Sequence, residues 1–255
     1  VLAKPAVEIQ NDADVIKFLP QDDPKIVKFK DVGDKFHGLQ MAIVGVEAKG
    51  EGNLFNLEDI TLIRRYATEF KTLMCHKIDD DGDWIMGEDG QPVMTPCVSN
   101  TTCFTEIQDI GHSVTEDGEE TSSVTDLVPE YPEPGSEEAI AKADEIKASL
   151  QVVYDHARTL DHVNGFLVSD DGRAAAVYAQ VDDTNVSAKE AADMIKEHLI
   201  KVKKEMGLEE AVEVYYSGAP FIGSYSADTV RNDMSKLMPW VAAIVVGIII
   251  VTSKS

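Results

Sequence analysis

An α+β domain running into one membrane helix is the fold class this sequence predicts, and three observations predict it. Apolar residues alternate with period two in some short segments and recur with helical period in others, as strands and helices packed together require. Leu237–Thr252, LMPWVAAIVVGIIIVT, holds no charge and shows no polar face, which fits a helix surrounded by lipid. The 255 residues are 44% hydrophobic, enough for a core, yet 46 acidic against 23 basic residues give a formal net charge of -23. That balance excludes a phosphate-binding, nucleic-acid function and disfavours docking on anionic headgroups. It reads as a solvated surface that keeps the domain soluble.

Each element has its own signal. Residues 1–35 read as an extended lead-in, and Val1 in place of Met, with no apolar signal run, predicts a fragment or processed product. Leu39–Ala48 is a β-rich apolar run ending in the Gly-containing turn Lys49–Asn53. Asn56 caps a helix expected over Leu57–Cys75, with Glu58 and Asp59 in its first turn and Ile60, Ile63, Ala67, Phe70 and Met74 on one face. Ile78–Pro96 is an Asp- and Gly-rich polar insert, Cys97–Ser113 has strand character, and Val114–Ser136 is acidic and loop-like. Ser136 caps a long helix, Glu137–Thr159, with Ala139, Ala143, Ile146, Leu150, Val153 and Ala157 on one stripe.

Two strands are then expected, Val163–Ser169 and Ala174–Val181, joined by an Asp-Gly hairpin turn at Asp170–Arg173. Ser187 caps a helix that Gly207 ends, and Val212–Ser217 is the last strand. This order places helices on one face of a mostly antiparallel sheet: an α/β sandwich of ferredoxin-like type over residues 36–222, with an insert at about 78–136.

Residues 223–255 are expected to form a helix continuing into a transmembrane span at about 237–253, marked by Leu237, Trp240, Ile244, Ile248 and Val251. At ~1.5 Å per residue the apolar run is slightly short of a ~30 Å hydrocarbon core, and flanking Lys236 and Lys254 reach the difference by snorkelling. Trp240 sits near one end, where an indole suits the interface, and Pro239 marks a kink or junction. Ser224–Lys236 is polar and free of Gly and Pro, so it carries the helix out of the membrane toward the domain.

Chemistry-bearing constellations are sparse. Three cysteines, Cys75, Cys97 and Cys103, are too few for a disulfide scaffold and lack zinc spacing; one pair is bridgeable in an extracytoplasmic domain, leaving a buried thiol. Asp79, Asp81 and Asp83 alternate like the first ligands of a calcium loop, but Trp84 stands where that loop needs Gly and Gly90 where it needs Glu. A solvated turn is the better reading, and no metal or cofactor is expected. The histidines lack i,i+4 metal spacing, and no nucleophile, zinc-protease or phosphate-loop motif appears, so no enzymatic activity is expected. Tyr215, Tyr216, Phe221 and Tyr225 cluster just ahead of the membrane helix. They read as core packing or, more sharply, as the lining of an entrance for a lipidic substrate.

Several of these stretches, taken in order, resemble one family. Phe18–Pro24, FLPQDDP, is similar to the segment after the first membrane helix of resistance-nodulation-division exporters, in the mycobacterial-membrane-protein-large and Patched-like branch. Leu39–Glu47 with the helix at Leu57, the Val168–Arg173 hairpin, the Tyr216–Pro220 turn and the helix from Asp233 resemble that family's successive features. The Asp-rich insert and the cysteines have no counterpart in it.

The resemblance implies the first extracytoplasmic, porter-type domain plus the second membrane helix of an exporter, with a first membrane helix missing ahead of residue 1. Residues 1 to about 236 would then lie outside the cell membrane. It further implies lipids or other hydrophobic molecules as substrate, the remainder of the transporter chain as partner, a homo-oligomer as an option, and an ion gradient as drive. The residues themselves also admit an extracellular binding or adhesion domain anchored by a single C-terminal span.

Overall fold

The computed structural model describes residues 20, 22–36, 40–79, 82–114, 120–182 and 185–253. Its central layer is an antiparallel sheet built from β1 (Met41–Ala48), β4 (Val98–Thr102), β7 (Ala174–Val181) and β8 (Val212–Ser217), in the order β4-β7-β1-β8. Strand β1 therefore pairs with β7 on one side and β8 on the other. Along β1 and β7 every second residue is buried, as a sheet covered on one face demands.

The covering layer is helical. Helix α2 (Leu57–Phe70) starts at Asn56, whose side-chain oxygen accepts from the Asp59 backbone N–H while its amide donates to the Asp59 carboxylate at 2.6 Å. Helix α5 (Ala188–Glu205) lies beside α2, and the Tyr66 hydroxyl donates to the Leu199 carbonyl at 3.1 Å across the seam. Helix α4 (Ala143–Ala157) completes the layer, burying Leu150 and Val153 and setting Tyr154 against Phe55. Mixed helix and antiparallel sheet is thus the fold class, as the apolar periodicities predict.

Five local expectations are corrected. Within the lead-in, Pro24–Phe36 is helical (α1) rather than extended: Pro24 opens it and the Asp23 carboxylate accepts the Lys25 N–H, a sound helix start. Residues 1–19 and 21, including Phe18 and Leu19, lie outside the described residues. Helix α2 stops at Phe70 because Met74–His76 (β2) leaves to pair with Met94–Pro96 (β3), closed by the disulfide Cys75–Cys97. The third cysteine, Cys103, is buried and free, its thiol pushed up to about 11 by desolvation.

The remaining corrections concern the middle of the chain. The expected acidic loop Val114–Ser136 contains β6 (Glu120–Asp126), whose Ser, Thr and Val residues pair with β5 (Gln108–Val114) as a hairpin. The expected Glu137–Thr159 helix breaks at Lys142 into α3 (Glu137–Ala141) and α4. Val163–Ser169 is a series of turns, since Asn164-Gly165 sits inside the apolar run and Gly165 takes a left-handed φ of 74°.

Candidate functional site

The strongest construction is the joint where the sheet becomes the C-terminal helix. Strand β8 turns through a single residue, Gly218, into α6 (Ala219–Ser253), with no linker between them. Gly218 holds φ at 95°, and a Cβ there would stand 2.0 Å from the Met41 carbonyl oxygen, so only glycine fits. Pro220 falls in the first turn, where its missing N–H is not needed.

The front of α6 is docked on α5. Ser224 Oγ donates to Asp193 Oδ1 at 2.7 Å, and Lys189 Nζ bridges Asp193 at 2.6 Å and Asp228 at 3.3 Å. Phe221, only 8% exposed, and Ala227 are buried on the same docked stretch of α6. Because α6 pairs its later residues with earlier ones of α5, it leaves the domain past the α5 N-terminus.

Beyond Asp228 every described side chain of the helix is exposed. It is the one helix among the described residues long and apolar enough to cross a membrane. Trp240 is 72% and Ile244 61% exposed, with Leu237 and Ile248 alike; Val251 lies in α6, its side chain outside the described residues. The helix runs through Pro239 without interruption.

The four aromatic residues fall into three environments. Tyr216 and Phe221 pack together, ring centroids 5.3 Å apart, and burial raises the Tyr216 hydroxyl above its ordinary range. Lys196 Nζ lies 5.8 Å over the Tyr216 ring, a further tie between β8 and α5. Tyr215, one residue along the strand, faces the opposite side of the sheet over Gly45, and a hydrogen bond to Glu47 raises its hydroxyl. Tyr225 projects from α6, 75% exposed.

Of the Asp79, Asp81 and Asp83 set, Asp81 lies outside the described residues. The Asp79 carboxylate accepts the Asp83 N–H at 2.9 Å, which closes a turn, and among the described residues no group of three or more His, Cys, Asp or Glu is placed to hold a metal. Comparison with protein-family models and with curated proteins finds no match to this chain.

Sequence reasoning missed the pins of the joint. Asp193, Ser224 and Lys189 are ordinary surface types, 31 residues separating the first two, and nothing local marks them. Gly218 did carry a signal: a lone Gly between a strand and a Pro that opens a helix.

Proposed function

We propose that this chain is the extracytoplasmic, porter-type domain of a membrane exporter of the resistance-nodulation-division superfamily, in its mycobacterial-membrane-protein-large and Patched-like branch. On this reading it guides or gates lipidic or other hydrophobic substrates in a transporter driven by an ion gradient. The observation that carries the reading is the passage from β8 through Gly218 into α6, docked at its front and apolar at its rear. A domain that must respond to movement in the membrane needs such a stiff connection rather than a flexible linker.

Two further features support it. Leaving out the β2–β3 arm and the elements between β4 and β7, the succession β1, α2, β4, β7, α5, β8 with order β4-β7-β1-β8 supports reading the domain as a ferredoxin-like βαββαβ unit, the type expected of a porter domain. The Cys75–Cys97 bridge fits an oxidising compartment, and so the outer side of the membrane.

Tyr225 is the aromatic residue best suited to meet substrate leaving the bilayer, being exposed on α6 while Phe221 serves the core. Replacing Tyr225 with Ala in the full transporter lowers lipid export while thermal unfolding stays unchanged. Export at the unaltered rate would remove Tyr225 from the path, and absence of any lipid transport by the parent protein would refute the exporter reading itself.

A further inference from the structure

The disulfide-closed arm Met74–Cys97 presents something the membrane reading does not use. Trp84 is 54% exposed, and Met74, Met86 and Met94 are exposed beside it on the same short arm. Such side chains face water here on a rigid platform. Trp84 stacks on the His76 ring, centroids 4.1 Å apart and 13° between planes. His76 is held in turn by Glu190 of α5, which accepts from its backbone N–H at 3.0 Å and contacts its Nδ1 at 2.6 Å. Met94 lies opposite His76 in the β2–β3 register, and Met74, two residues from His76, shares its face. The Cys75–Cys97 bridge closes the root.

A large aromatic side chain fixed in one orientation loses little conformational freedom on being covered, which is the property of an anchor in a protein interface. Around this anchor the charge is one-sided. Asp79, Asp83, Glu88 and Asp89 stand against Lys77 alone among the fully charged, described residues of the arm.

We infer that the arm is a docking surface for a protein segment that is apolar at its centre and basic at its rim. Charge complementarity selects that occupant. A second copy of this chain, at net charge -23, brings like charge to an acidic rim. A lipid surface fits less well by position. Lys189, next to the Glu190 that holds the root of the arm, pairs with Asp228, which lies ~14 Å before Leu237 along the axis of α6 at ~1.5 Å per residue. The headgroup layer of one leaflet is only roughly 5–8 Å deep.

The test uses the full chain in phosphatidylcholine nanodiscs with Trp240→Phe, which leaves Trp84 as the only indole of the two in the sequence. The probe is a labelled helical peptide with Leu on one face and Lys on the other; its counterpart carries Glu in place of Lys. The Lys peptide shifts Trp84 emission to the blue in a saturable way, and the Glu peptide does not. Trp84→Ala weakens the Kd by roughly tenfold or more. Asp83→Asn/Glu88→Gln, which leaves the anchor intact, weakens it severalfold, and added salt does the same.

Three results would each overturn the inference. One is binding that Trp84→Ala and Asp83→Asn/Glu88→Gln both leave unchanged, which means general attraction to an acidic protein. The second is Trp84 emission unmoved by bound peptide. The third is quenching of Trp84 by brominated nanodisc lipid with no peptide present, which makes the arm a lipid-facing foot.

Discussion

Two parts of this molecule show apolar side chains to the outside, and they do so differently. The rear of α6 is apolar all round, and Leu237–Thr252 holds no charge. The arm shows Trp84 and three methionines among carboxylates, on a frame tied by a disulfide and by Glu190. A bilayer offers no partner for a charge, so a lipid-facing surface excludes charge altogether. A protein interface keeps an apolar centre and a polar rim. Uncovered apolar area alone therefore says little about what covers it; the surrounding charge says more.

The two regions also differ in attachment, and mutations separate them. The largest effect is expected at Gly218, where Ala meets both a positive φ and the Met41 carbonyl. Gly218→Ala destabilises by ~3 kcal/mol or more, read as a fall in the urea midpoint, and loosens the start of α6 while leaving the arm folded.

Replacing Cys75 and Cys97 with Ser gives the converse. A bridge across a sequence separation of 22 contributes about 2–4 kcal/mol. Amide exchange then quickens in Met74–Cys97 but not at Phe221–Asp228. Equal loosening at both places would mean that arm and helix root are one cooperative unit.

A smaller effect tests the α5–α6 seam. Ser224→Ala removes one hydrogen bond to Asp193, which keeps Lys189, so ~1 kcal/mol is lost.

The smallest effect belongs to the α2–α5 seam beneath both regions. Burial holds the His198 imidazole below its ordinary 6.5, against the pull of Glu69 at 3.0 Å, while Lys201 and Arg65 add to the lowering. The folded state therefore prefers neutral His198, and the unfolded chain binds its proton first as pH falls. This contribution to stability is full above the unfolded value and is lost as pH drops through the folded one. Urea midpoints taken across roughly pH 5 to 8 show it, and His198→Gln flattens that part of the slope.

Much of the frame was legible in the sequence because local and tertiary demands agreed there. Asn56 caps α2 as its side chain predicts, β8 has the bounds that its apolar run and turn residues mark, and Ser136 begins α3. Where reading failed, a distant partner or a short local signal decided. Cys97 pulls residues 74–76 out of helix into a strand, and Asn164-Gly165 breaks a run that otherwise looked like β. For the break at Lys142 there is no sequence signal of that kind, since no Gly or Pro stands there.

The site divides in the same way. The apolar stretch of α6 was readable because its length and its lack of charge stand in the sequence itself. The seam that docks the helix was not, since it depends on which surface Asp meets which surface Ser. The arm was read as a polar insert because its acidic residues outnumber its apolar ones; only the fold brings Trp84 onto His76 and Met94 opposite it.

The central proposal, that α6 carries the folded domain directly into a bilayer, is tested most directly by the depth of Trp240. With Trp84→Phe, Trp240 is the sole fluorophore of the full chain reconstituted into phosphatidylcholine bilayers. The account predicts blue-shifted Trp240 emission, quenched by lipids brominated near the top of the acyl chain. Emission at the wavelength of a water-exposed indole, unaffected by the brominated lipid, would contradict it.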